Sequence, residues 1–165
     1  MVDTITSIAR QLVADKGYLP AAEASLPTDA ALPAVPFLGV REYWGSIMTI
    51  GLLDADRLTP SQIQQHATAF YAFTHGLLPL AGRLRIGLAT TRLGSFGLLA
   101  FVFAGGCPPH KLEAVLSARH GSAFRKDYSV SWAIDVPAQR VHSHRGLPLT
   151  MFPGARYLKR LLVAT

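Results

Sequence analysis

Three groups of residues have the types and spacing to do chemistry. The first is the loop Gly105-Gly106-Cys107-Pro108-Pro109, between an apolar run (Phe96 to Ala104) and a helix predicted over His110 to His120. A thiol at a helix N-terminus feels the helix dipole, which favours the nucleophilic thiolate. The glycines let the backbone approach a ligand, and free N–H groups there suit an anion. Pro108 and Pro109 remove two such groups. Cys107 with His110 as its base is the catalytic candidate. The competing reading is a cysteine that only fills space, since cysteine is among the most buried residue types.

The second group is Ser131, Asp135, Arg140, His142 and His144. Tyr128 to Val136 alternates apolar and polar residues. A two-residue turn at Pro137-Ala138 would return the chain as a hairpin over 139–144. In that register Asp135 lies opposite Arg140 and Ser131 opposite His144, all on one face. His142 and His144 stand at i and i+2 and are the metal-ligand candidates, but a site needs a third ligand. Asp135 is committed to Arg140, and a solvated hairpin face accounts for the same alternation. No cofactor or metal is therefore expected.

The third group is basic: Arg83, Arg85, Arg92, Arg125, Lys126, Arg140, Arg145, Arg156, Lys159 and Arg160. The chain carries a net charge of +6, unevenly spread. Residues 1–80 hold four bases and seven acids, a net of −3; residues 81–165 hold twelve bases and three acids, a net of +9. That asymmetry speaks to partners rather than to fold. Arg83, Arg85, Arg140, Arg145, Arg156, Lys159 and Arg160 are the binding candidates, and the partner expected is an acidic protein surface or nucleic acid. No RNA-binding aromatic motif, zinc finger or helix-turn-helix signature accompanies them. There is no phosphate loop, dinucleotide glycine fingerprint, zinc-binding helix or nucleophile elbow. Acids are too scarce in the basic half to supply paired-carboxylate or two-metal chemistry. His66 and His75 sit on a helix with an apolar face and read as surface or packed residues.

These residues need elements to hold them. Thr4 to Asp15 reads as a short amphipathic helix through Ile5, Ile8 and Leu12, stopped by Gly17. The stretch Tyr18 to Phe37 carries Pro20, Pro27, Pro33 and Pro36 and reads as an extended strap. Residues 1–36 thus form an arm that docks on the core or on a neighbouring chain, and 37–165 form one domain. The run Val40 to Leu53 fits helix or strand. Thr59-Pro60-Ser61-Gln62 is a capping box with proline at the first helical position, and Ile63, Ala67, Phe70, Phe73 and Leu77 follow on one face. Strands are expected over 83–90, 96–104, 128–136 and 139–144. A last helix over 153–163 is basic on one face and apolar on another.

The order predicts an α+β fold: hairpin, helix, hairpin, helix, with an antiparallel four-stranded sheet and N-terminal helices packed on it. Half of the 165 residues are hydrophobic and 16% are charged, which supplies a core and argues against disorder. No run approaches about 18 uncharged apolar residues, so no membrane span is expected. The start lacks the pattern of a signal peptide, which points to the cytoplasm. A single cysteine excludes an internal disulfide framework. The function expected is a non-catalytic interaction module, as a homo-oligomer or a subunit of an assembly. The alternative is a small enzyme with Cys107 as nucleophile.

Overall fold

Helix and strand assignments follow from which side chains find cover. The computed structural model describes residues 2–24, 26, 33–43, 46–77, 94–122 and 127–143. In chain order these form α1 (Val2–Lys16), β1 (Leu19–Pro20), β2 (Phe37–Tyr43), β3 (Ser46–Asp54), α2 (Pro60–Gly76), β4 (Ser95–Phe103), α3 (Pro109–Ser117), β5 (Arg119–Ser122), β6 (Asp127–Asp135) and β7 (Arg140–His142).

All seven strands join one mixed sheet in the order β1-β2-β3-β4-β6-β5, with β7 also on β6. The centre is parallel: β3 pairs with β4 and β4 with β6, in register from Ile47↔Ser95 and from Ser95↔Asp127. The antiparallel pairs lie outside it: β1–β2, β2–β3, β5–β6 and β6–β7. The expected antiparallel four-stranded sheet is therefore incorrect, although the α+β class stands. The physical reason lies in β4. Both of its edges are paired along their length, with β3 on one side and β6 on the other. No edge remains for a hairpin partner over 83–90, which lies outside the described residues, as does the helix expected over 153–163. In the ambiguous run Val40 to Leu53 the described residues are strand, 40–43 in β2 and 46–53 in β3, paired antiparallel.

The sheet is covered on both faces. Met48, Ile50, Leu52, Phe96, Leu98, Val102, Val130, Trp132 and Ile134 point to one side, where Ile5, Ile8 and Leu12 of α1 pack on them. Leu53, Leu99, Phe101, Phe103 and Ala133 point to the other, under Ile63, Ala67, Phe70 and Phe73 of α2 and Val115 of α3. The result is three layers. The 3.6-residue spacing of α1 thus covers the sheet of its own chain. Gly17, at φ +66°, turns the chain out of α1, and the Arg41 guanidinium on β2 donates to the Lys16 carbonyl at the helix end. The predicted capping box of α2 is present: Thr59 Oγ1 accepts from the Gln62 N–H and the Gln62 side chain accepts from the Thr59 N–H.

Helices α2 and α3 carry the two crossovers, β3 to β4 and β4 to β6. Both lie on one face and step in the same direction across the sheet, so they share one hand. Phe70 sets how closely α2 approaches. A Cβ on Gly51 would stand 3.0 Å from its ring, and one on Gly97 2.7 Å from it. The two glycines open the slot that the ring occupies.

Candidate functional site

In open α/β sheets ligands usually lie beyond the carboxyl ends of parallel strands. Here that end holds the loops after β3, β4 and β6, and Cys107 with them. Its carboxylates brace backbone. Both Asp56 oxygens lie 3.1 Å from the Gly105 nitrogen, Asp135 Oδ2 accepts from the Cys107 N–H at 3.2 Å, and Asp135 Oδ1 accepts from the Ala138 N–H at 3.2 Å. Lys111 donates to the Asp56 carbonyl at 2.7 Å. Cys107 is half-buried, and its thiol is pushed up to about 11, first by burial and then by the Asp135 carboxylate, with Lys111 opposing. A thiol held there is almost wholly protonated at neutral pH. It sits one residue before the N-cap of α3. His110 is exposed on the first turn of α3.

The β6–β7 hairpin keeps the expected register at its tip, with Asp135 opposite Arg140. It extends no further than Ala133↔His142, because β5 occupies the same edge of β6 from Val130 down to Asp127. Ser131 faces the interior and is 4% exposed, so the polar side of this strand is not solvated along its length. Arg140 is exposed and His142 half-buried. His144, Arg83, Arg85, Arg145, Arg156, Lys159 and Arg160 lie outside the described residues. Among the described residues no three of His, Cys, Asp and Glu are placed to hold a metal ion.

The arrangement with most chemical content lies at the opposite end of the sheet, and spacing alone does not reveal it. Residues sharing one face of β3, β4 and β6 form rows: Ile47–Ser95–Asp127, Thr49–Gly97–Ser129 and Gly51–Leu99–Ser131. Every buried polar side chain among the described residues belongs here: Thr49, Ser95, Asp127, Ser129 and Ser131 on the strands, and Thr74 above them on α2. Thr74 Oγ1 donates to the Phe70 carbonyl at 2.9 Å and lies 3.1 Å from Thr49 Oγ1.

Asp127 is the charged member. Its Oδ2 accepts from the Tyr71 hydroxyl and from His75 Nδ1, each at 3.0 Å. The carboxylate side chain is 7% exposed and the imidazole 56%. An ionised carboxylate only accepts, so Nδ1 carries the proton and the neutral ring keeps its lone pair on Nε2. This is the geometry of a histidine with a fixed tautomer, suited to proton transfer or to ligation. The second Asp127 oxygen, Oδ1, is buried without a partner, as are Ser95 Oγ and His120 Nε2. His120, on β5, stacks on the other ring contact of α2: its centroid is 5.4 Å from that of Tyr71, with planes 22° apart. Burial lowers the His120 pKa below its usual 6.5.

Sequence reasoning read His75 as a surface or packed residue and passed over Asp127. The one available signal is that Asp127 is among only three acids in residues 81–165. The pairing itself spans 52 residues and exists only through the sheet register. Compared with protein-family models, with curated proteins and with solved structures, this chain finds no match.

Proposed function

We propose that the chain is a non-catalytic interaction module for an acidic macromolecular partner. The observation that carries this reading is the segregation of charge along the chain. Residues 1–80 hold four bases and seven acids, a net of −3, whereas residues 81–165 hold twelve bases and three acids, a net of +9. The high pKa of the Cys107 thiol and the structural use of Asp56 and Asp135 weigh against the thiol-enzyme alternative.

The binding candidates remain Arg83, Arg85, Arg140, Arg145, Arg156, Lys159 and Arg160. The test uses the intact chain with generic DNA, RNA and a polyglutamate peptide, at low and moderate salt. Affinity for one of them should fall steeply as salt rises, because counterions are displaced and long-range attraction is screened over about 8 Å at physiological ionic strength. Arg156→Glu with Arg160→Glu should weaken binding by roughly tenfold or more, with Tm unchanged. Light scattering of the same samples reports whether a second copy joins the assembly. Binding indifferent to both salt and charge reversal overturns the reading. An activity abolished by alkylation of Cys107 would replace it with the thiol enzyme.

A further inference from the structure

The imidazole of His75 has its two nitrogens in different situations. Nδ1 lies 3.0 Å from Asp127 Oδ2 and carries the proton, so the neutral ring holds its lone pair on Nε2, across the ring from the carboxylate. The His75 side chain is 56% exposed. Asp127 is itself fixed, because it is buried and the Tyr71 hydroxyl donates to the same oxygen at 3.0 Å. Its other oxygen, Oδ1, is buried with no partner. Among the described residues the donors to this carboxylate are thus neutral groups, and its charge is available to stabilise a cation on the ring. His75 also stands in the last turn of α2, where the helix dipole favours positive charge.

We propose that His75 is a phosphoryl-acceptor site: Nε2 takes a phosphoryl group from an activated donor of the phosphoramidate class, with Asp127 as the positioning residue. The Nε2 lone pair forms the new N–P bond in line with the P–N bond of the donor. That bond breaks with its electron pair going to the departing nitrogen, and ammonia leaves. Nδ1 keeps its proton throughout, so the product ring is cationic and stays paired with Asp127. Two considerations favour this chemistry over others open to a nucleophilic imidazole. Phosphoryl transfer passes through a loose transition state and asks of the acceptor little beyond a lone pair in line. Acyl transfer builds an oxyanion that needs N–H donors, whereas the end of a helix offers carbonyls. The phosphate sits on the far nitrogen with the imidazolium between it and Asp127, which limits repulsion between the two anions. The site rests on this pair alone and is independent of the basic excess in residues 81–165.

The test uses the intact protein and phosphoramidate at mildly alkaline pH, where imidazoles are neutral. One phosphoryl group should be taken up, on Nε2 of His75, as read by intact mass, peptide mapping and NMR of the 15N-labelled protein. His110 is the reference in the same tube: it is exposed on α3, and among the described residues no carboxylate pairs with its ring. His75 should react about tenfold faster than His110. His75→Gln should remove the fast site and leave the His110 rate as it was. Asp127→Asn should bring the rate at His75 down toward that at His110. The tautomer of the unmodified wild-type ring, read from its 15N shifts, needs no variant and should be the Nδ1–H form. Four outcomes overturn the proposal: equal rates at His75 and His110, attachment at Nδ1, an Nε2–H tautomer in the wild type, or a folded Asp127→Asn protein with an unchanged rate ratio.

Discussion

At the scale of single residues, Asp127 joins β6 to α2. One of its oxygens takes donors from two residues of α2, Tyr71 and His75, while its backbone opens β6. Asp127→Asn keeps the volume and removes the charge, so two charge-assisted bonds to one oxygen become two ordinary ones. A loss of about 1–3 kcal/mol is expected in urea unfolding. Tyr71→Phe should cost less, about 0.5–1.5 kcal/mol, because His75 still satisfies the carboxylate. Equal losses from both would show that the Tyr71 bond carries the whole contact. Cys107 illustrates the reverse lesson. Its position before α3 was legible in the sequence, but its chemistry was not, because Asp135 approaches from 28 residues away.

At the scale of elements, helices were read better than sheet pairings. The capping box started α2, and the spacing of Ile63, Ala67, Phe70 and Phe73 set its buried side, because those signals are local. The strands themselves were also near their expected places, with β4 at Ser95–Phe103 and β6 at Asp127–Asp135. Partner choice was not legible. Alternation in β6 reads as inside against outside, but Ser129 and Ser131 are small enough to be buried beneath α2, so both faces are interior. Parallel pairing leaves no turn in the sequence to mark it. The contact between α2 and the sheet offers a direct check. A Cβ at Gly97 would lie 2.7 Å from both the Phe70 ring and Thr74 Oγ1. Gly97→Ala should therefore destabilise by about 1–3 kcal/mol through overpacking. Phe70→Leu, which frees space above the same strand, should recover part of the loss when combined with it; strict additivity of the two would show that the sites are independent.

At the scale of the whole molecule, the sheet depends on both of its covers. α1 buries Ile5, Ile8 and Leu12 on one face, and Leu12 is 0% exposed. Leu12→Ala should cost about 2–5 kcal/mol, as for other fully buried leucines. If α1 belongs to the same cooperative unit, that loss appears as a shift of one transition seen alike by far-UV circular dichroism and by Trp132 fluorescence. Two separated transitions would make α1 an independent appendage. The apolar faces of the sheet are covered by the protein's own helices, and no helix among the described residues is long and apolar enough to cross a membrane.

The parallel centre also dictates when the protein can be finished. β3 ends at Asp54, β4 begins at Ser95 and β6 begins at Asp127, so the core ladder joins segments made far apart in time on the ribosome. β4 is buried at every position and has no lasting partner on one edge until β6 has emerged. For that interval the nascent chain presents an apolar strand with bare N–H and C=O groups, the kind of edge that recruits other chains. Non-local pairing of this sort is also slow to close. Messages truncated before codon 127 should accumulate as aggregates or chaperone clients, whereas release after residue 143 leaves every described strand paired. The last described segment, 127–143, thus sets the moment at which synthesis becomes safe.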